Sequence, residues 1–334
     1  MPGVVRAVRL ARGLVGATTS FVPVSVALRR SIVAAHERAG WTQADAIALV
    51  DAFNDALRAA PDDEGASRWL HHWWDHLFDV MYGAVSADLS PRRAFTALCL
   101  GAGTRNPLAM PLLLYMGGAA RVIVVEPELA GSVPDWRVRW GLQELALHIL
   151  SGDVTSSHFV RDAAEVASFV DLRALFFAPS VDAALRPETL EVLPAYLEDC
   201  RIAPSSVSLV VSRSVLEHVV EVDRCYDALA ALLAPGGMMC HHIDLSAHDA
   251  SDRFAFYYDD PGLGGARRPD GLNGLRLSDH IGALTTRGLD TRVVDRTVLT
   301  DYPLDRRRLR ERFRRYADDD LLCARAVIVC RRPR

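Results

Sequence analysis

The run TALCLGAGTRNPLAMPLLLYMGGAARVIVVE, residues 96–126, admits few folds. Phe95–Leu100 is continuously apolar, the pattern of a parallel strand covered on both faces. Gly101 and Gly103 come next; without a Cβ the chain there turns tightly and lies close against a ligand. A helix over Pro107–Gly117 is expected to stop at Gly117-Gly118, and a second strand, Arg121–Val125, delivers Glu126 to its tip. A carboxylate so placed can accept hydrogen bonds from both hydroxyls of a ribose. A single GxG is equally compatible with a plain turn in an α/β core, so the rest of the chain must decide.

Beyond Glu126 the chain keeps alternating in the same way. Apolar runs predict strands at Arg173–Ala178, Val207–Val211, Met238–Ile243, Thr291–Leu299 and Cys323–Cys330. Helical periodicity predicts helices at Trp136–Leu150, Ser157–Ser168, Pro187–Asp199 and Glu221–Leu233, one capped by Ser278, and an arginine-rich helix at Leu304–Ala317. Asp182 stands after the run RALFFA, so it either meets a ligand donor such as an adenine amino group or caps the next helix. The fourth strand runs into Ser212-Arg213-Ser214-Val215-Leu216-Glu217-His218, and the fifth ends in His241, His242 and Asp244. The alternation predicts an α/β fold with a mostly parallel Rossmann-like sheet.

Residues 1–90 read as a helical extension, a lid or an oligomerisation element, and 91–334 as the cofactor-binding domain. Thr42 and Asp45 resemble a capping box. The run RWLHHWWDH, within a helix from Glu64 to Ala84, suits either a lid that stacks on a ligand or tryptophans that pack the extension onto the sheet. His72 and His76 have the i, i+4 spacing of a two-histidine metal site. The opening segment, with Arg6, Arg9 and Arg12 at helical spacing, reads as a targeting or membrane-surface helix, or as one that docks on its own protein or in a homodimer.

Composition narrows the functions. The net charge of −4 gives no global attraction to nucleic acid or to an anionic membrane surface. No apolar run is long enough to cross a bilayer. All 38 basic side chains are arginine, which excludes a lysine base or Schiff base. Six cysteines without a CxxC spacing fit a reduced, cytoplasmic chain. The arginine run is expected to be a solvated face.

Three segments in order, LGAGTRNP with Glu126, VVSRSVLEHV, and LLAPGG followed by HHIDLSAH, resemble the class I S-adenosylmethionine-dependent methyltransferases from about Phe95 to the C-terminus. A nicotinamide dehydrogenase fits less well, because the third glycine of GxGxxG is Asn106. The resemblance implies a seven-stranded sheet with one reversed strand, and S-adenosyl-L-methionine as cofactor. Gly101 and Gly103 would pass beneath its methionyl part, with Asn106 beside them. Glu126 would hold the ribose, Asp182 and Ala183 would flank the adenine, and Ser212 and Arg213 would face the sulfonium and the substrate. Two positions depart from the family. Cys99 stands where an acid usually helps to hold the cofactor's amino group, and Ser208 where an Asp is common.

A sulfonium methyl is strongly electrophilic, so the protein mainly aligns a nucleophile and removes its proton. Histidine suits that role near neutrality. His242 is the first candidate and His218 the second, since Glu217-His218 can instead open the next helix; both can also be simple structural histidines. Glu217, His218 and His242 together would be a metal set, but Ser214 replaces the usual carboxylate and no metal is expected. The expected function is methyl transfer to oxygen or nitrogen of a small molecule in secondary metabolism. Two alternatives remain: cyclisation of the cofactor to azetidine-2-carboxylic acid and methylthioadenosine, or a non-catalytic cofactor-binding subunit.

Overall fold

A computed structural model describes residues 41–45, 47–48, 51, 78–89, 94–103, 106–131, 135–152, 154–247, 252–258 and 271–334. Seven strands form one sheet in the order β3-β2-β1-β4-β5-β7-β6. They are β1 Phe95–Leu100, β2 Ala119–Val125, β3 Leu190–Leu193, β4 Val207–Arg213, β5 Leu233–Asp244, β6 Asp290–Val298 and β7 Cys323–Arg331. The pairings from β3 across to β5 are parallel, and β7 runs antiparallel to both β5 and β6. This is the seven-stranded sheet with one reversed strand that the resemblance implied.

Strand alternation divides the apolar side chains between two layers. On one face Ala97, Cys99, Val122, Val124, Leu209, Val211 and Cys240 pack under helices α1 Asp79–Ser86, α2 Ala109–Met116 and α3 Asp135–Ser151. On the other, Leu98, Leu100, Ile123, Val210, Met239 and Ile328 meet α5 Val222–Leu232 and α6 Leu277–Thr285. Each fully buried aliphatic side chain contributes roughly 1.5–3 kcal/mol, which is why the central strands read as unbroken apolar runs. α1 is locked onto α2 by Tyr82, whose hydroxyl donates to the Gly117 carbonyl.

Two expected elements differ. RALFFA is a helix, α4 Leu172–Phe177, because Asp171 caps it by accepting the Ala174 N–H at 2.9 Å. Arg139 donates to the Ala178 carbonyl at its other end. The third strand is instead Leu190–Leu193, inside the segment read as a helix, where pairing with Val122–Val125 supplies the backbone partners. The arginine-rich stretch is not an α-helix but a series of turns with a 3-10 segment at Glu311–Phe313. It folds over a satellite core of Phe254, Phe256, Tyr257, Leu309, Phe313 and Tyr316.

Of the extension, Trp41 lies edge-on to Phe176 with ring centroids 4.8 Å apart. Thr42 and Asp45 form the expected capping box, the Asp45 carboxylate accepting the Thr42 N–H at 2.8 Å and Thr42 Oγ1 accepting the Asp45 N–H at 3.2 Å. The aromatic run with His72 and His76 lies outside the described residues. No helix among the described residues is long and apolar enough to cross a membrane.

Candidate cofactor and acceptor site

Parallel strands end at one edge of the sheet, and there the glycine turn meets Glu126. Gly101 is left-handed at φ +66° and donates its N–H to the Val125 carbonyl at 2.8 Å. A Cβ on it would stand 2.2 Å from Val215 Cγ2, so this glycine lets the turn after β4 close against the turn after β1. Gly103 is also left-handed, at φ +74°, but a Cβ there would meet nothing within 4 Å among the described residues. Its N–H donates to Glu126 Oε2 at 2.7 Å, and Glu126 Oε1 accepts the Glu128 N–H at 3.1 Å. Each carboxylate oxygen has thus taken one backbone donor. A carboxylate has about four acceptor sites, so Glu126 retains capacity for ribose hydroxyls above an open Gly103. On that geometry the residues present fit the ribose end of a nucleoside cofactor.

Other expected cofactor residues are placed differently. Asn106 is buried, and its Oδ1 lies so close to Gly141 that a Cβ there would be 2.1 Å away; it joins the start of α2 to α3. Asp182 and Ala183 are exposed in the 3-10 turn Val181–Ala184, which precedes β3 and therefore does not stand at a strand's carboxyl tip. What leaves the tip of β3 is Pro194-Ala195-Tyr196. The Leu193 carbonyl there accepts the Glu126 N–H at 3.1 Å, and Tyr196 is 62% exposed. A helical reading of its segment hides Tyr196; the β-branched Val192 shortly before a proline is the signal that could have found it. Cys99 is buried, and burial, reinforced by the Glu126 charge, pushes its thiol up to about 12, so it is a neutral group where the family keeps an acid.

At the tip of β4 the two adjacent candidates part. Ser212 is buried on the α5–α6 face, its Oγ 2.7 Å from His241 Nδ1. Arg213 is half-buried on the opposite face and pairs in register with His242. The chain then turns sharply through Ser214, at φ +49°, whose N–H donates to the His242 carbonyl at 2.8 Å and whose Oγ is 3.5 Å from His242 Nδ1. His242 is half-buried and His218 exposed. Glu217 is buried, accepts the Asp244 N–H at 3.1 Å through Oε1, and has no partner for Oε2 among the described residues. Burial lifts its pKa to about 8, with the nearby Asp244 charge adding to the rise and Arg213 opposing it. Arg213 is lowered by burial to about 10, against the pull of Glu217 and Asp244, and stays charged at neutral pH. The acceptor end of the crevice therefore presents one guanidinium, a neutral carboxyl and an imidazole. Among the described residues no group of three or more His, Cys, Asp or Glu is gathered so that it could hold a metal ion.

Behind Ser212 lies a buried polar cluster that no motif announces. His241 and His280 are fully buried, and the Tyr226 hydroxyl is hydrogen-bonded to His280 Nδ1. Burial drives His241 down to about 3, assisted by His280, and His280 down to about 4, so both imidazoles are neutral.

A parallel sheet with a glycine turn after β1 and a carboxylate at the tip of β2 defines a Rossmann-like α/β domain built for a nucleoside cofactor. Residues 152–241, which hold β3, β4 and most of β5, match the family described as a methyltransferase domain. Over that segment the chain is similar to the S-adenosylmethionine-dependent methyltransferases, whose cofactor is S-adenosyl-L-methionine. No curated protein sequence matches it. Among solved structures, the YcgJ protein of Bacillus subtilis is 13% identical, with 78% of this chain and 100% of that one covered at a TM-score of 0.43. An S-adenosylmethionine-dependent methyltransferase from Mesorhizobium loti is 15% identical, with 76% and 98% covered at a TM-score of 0.40. A phosphoethanolamine N-methyltransferase from Haemonchus contortus is 12% identical, with 84% and 60% covered at 0.41.

Proposed function

We propose that this chain transfers a methyl group from S-adenosyl-L-methionine to an oxygen or nitrogen of a small molecule of secondary metabolism, and that Glu126 holds the cofactor's ribose. The observation that carries the reading is the Glu126–Gly103 contact beneath open space, at the same sheet edge as Arg213 and His242. Tyr196, exposed at the tip of β3, is placed to stack on the adenine. The cofactor supplies an electrophilic methyl carbon. The chain's own residues hold the acceptor and take its proton: Arg213 favours an acceptor oxygen bearing negative charge, and a ring nitrogen of His242 receives a proton from a neutral one.

The test is transfer of isotope from methyl-labelled cofactor into phenolic, carboxylate and amine acceptors. His242→Ala is expected to lower kcat by about 10²–10⁴-fold, the usual contribution of a positioned base, with cofactor affinity unchanged. The absence of an acid at Cys99 keeps one rival in view. In it the cofactor's amino nitrogen attacks its own γ-carbon and the C–S bond breaks to release methylthioadenosine. Release of methylthioadenosine from cofactor alone would reject methyl transfer in favour of that cyclisation. Cofactor binding with neither product would leave a non-catalytic subunit.

A further inference from the structure

Seven of the chain's arginines fall between Arg306 and Arg315, in a protein whose net charge is −4. The connection that carries them joins β6 to β7. Because Val298 pairs with Cys323 and Asp244 with Arg325, it emerges at the edge of the sheet where β5 ends, which is also the edge of Glu126 and Arg213. It is held there by the bridge between Tyr258 and Leu309 and by the Arg310 N–H donating to the Tyr257 carbonyl at 2.9 Å.

Leu309, Phe313 and Tyr316 are buried in the satellite core, and of the arginines between them Arg312, Arg314 and Arg315 are exposed while Arg310 is half-buried. Arg306 is matched by Asp318, and Arg315 by Asp279 at 3.1 Å. Arg307, Arg308 and Arg312 are exposed, and their guanidiniums make no ion pair with a carboxylate among the described residues, although the Arg307 N–H donates to Asp305 Oδ1 at 3.1 Å. Two of these guanidiniums are nonetheless steadied. Arg308 lies over the Tyr258 ring at 5.5 Å and Arg312 over Phe313 at 4.5 Å, contacts that occupy the flat face and leave the hydrogen-bonding edge for a partner.

We infer that Arg307, Arg308 and Arg312 form a docking surface for a protein partner that presents clustered Asp and Glu side chains beside the crevice. The arrangement decides among anions. A phosphate site would gather guanidiniums onto one buried point, whereas these are separate and exposed. A nucleic-acid backbone continues its charge in both directions, and here it would meet Asp318, Asp319 and Asp320 immediately after the arginines. An acidic patch of limited extent fits the positive surface and avoids the negative one.

The full-length chain is titrated with fluorescent poly-L-glutamate at low and at physiological ionic strength, with inorganic phosphate and a single-stranded oligonucleotide as competing probes. The expected result is salt-sensitive binding of poly-glutamate that weakens at least about tenfold in the triple variant R307E, R308E, R312E, since like charges now face the probe. The control R121E, R201E, R334E makes the same change of charge at the opposite edge and is expected to bind like the parent. A milder R307Q, R308Q, R312Q variant with an unaltered melting profile separates loss of docking from loss of fold. No binding at low salt, equal weakening in the control, or preference for the oligonucleotide or phosphate through the same arginines would each overturn the inference. The readout is binding alone, so it stands or falls apart from methyl transfer.

Discussion

Glu126 and Gly103 are 23 residues apart, yet the carboxylate accepts the glycine's N–H at 2.7 Å because β1 and β2 are parallel neighbours in register. The carboxylate proposed to hold the ribose and the glycine turn are one unit. Glu126→Gln puts an amide where two backbone N–H groups now converge, and removes a charge-assisted acceptor worth roughly 1.5–3 kcal/mol. Affinity for S-adenosylmethionine by titration calorimetry should fall about tenfold or more, with a lower melting temperature because the two backbone donors lose a charged acceptor; unchanged affinity would remove Glu126 from the site.

The two glycines of the turn should separate under substitution. Gly101→Ala drives a Cβ into Val215 and strains a left-handed residue, so it should destabilise the fold, with Val215→Ala recovering part of the loss. Gly103→Ala carries only the backbone strain, about 1–2 kcal/mol, but fills the open space and should act mainly on cofactor affinity. Equal melting temperatures for the two variants would contradict this division.

Acid should unfold the protein through His241 and His280. Their folded pKa values, about 3 and about 4, lie below the ordinary 6.5. The stability this represents is complete above pH 6.5 and is lost as pH falls toward the folded values, because the unfolded chain binds protons first. His280→Asn keeps an acceptor for Tyr226 and removes one titrating ring, so its denaturation midpoint should fall less steeply with acid than the parent's.

Glu217 works in the opposite direction. Its pKa is raised from 4.5 to about 8, so its neutral form suits the fold; its contribution is complete below pH 4.5 and declines as pH rises through 8. Glu217→Gln resembles the protonated side chain. The variant's melting temperature should gain on the parent's steadily between those values, and a constant difference would show that Glu217 is ionised in the fold.

Arg276 is fully buried and donates to the carbonyls of Leu245, Asp320, Leu321 and Cys323, tying the end of β5 to the start of β7. Arg276→Met leaves those acceptors unpaired in the interior, at about 1–3 kcal/mol for each one that water cannot reach. Chemical denaturation should show a loss of several such increments; a midpoint near the parent's would mean that water replaces the guanidinium.

Much of this molecule is written locally. Apolar runs identify β1, β2, β4, β5 and β7 because a covered strand needs apolar side chains, whereas β6 is an exposed edge strand, and the two left-handed glycines with Glu126 mark the turn and the strand tip. RALFFA misleads because its five consecutive apolar residues satisfy helix and strand alike; the Asp171 cap and the pairing of Leu190–Leu193 with β2 settle the matter. The arginine run is held in turns, with Arg306 donating to the carbonyls of Arg314 and Tyr316, although Leu309, Phe313 and Tyr316 in the satellite core stand at helical spacing.

At the tip of β4 the limit is geometric. Sequence alone establishes that Ser212 and Arg213 point to opposite faces, since side chains alternate along a strand. It cannot say which face meets the crevice, because that depends on which helices cover each side. The tertiary structure commits Ser212 to His241 in the interior and leaves Arg213 beside His242, Glu217 and Asp244. The sequence by itself determined the glycine turn and the carboxylate at the tip of β2; only packing of the two helical layers decided which side chains stand beside Arg213 at the tip of β4.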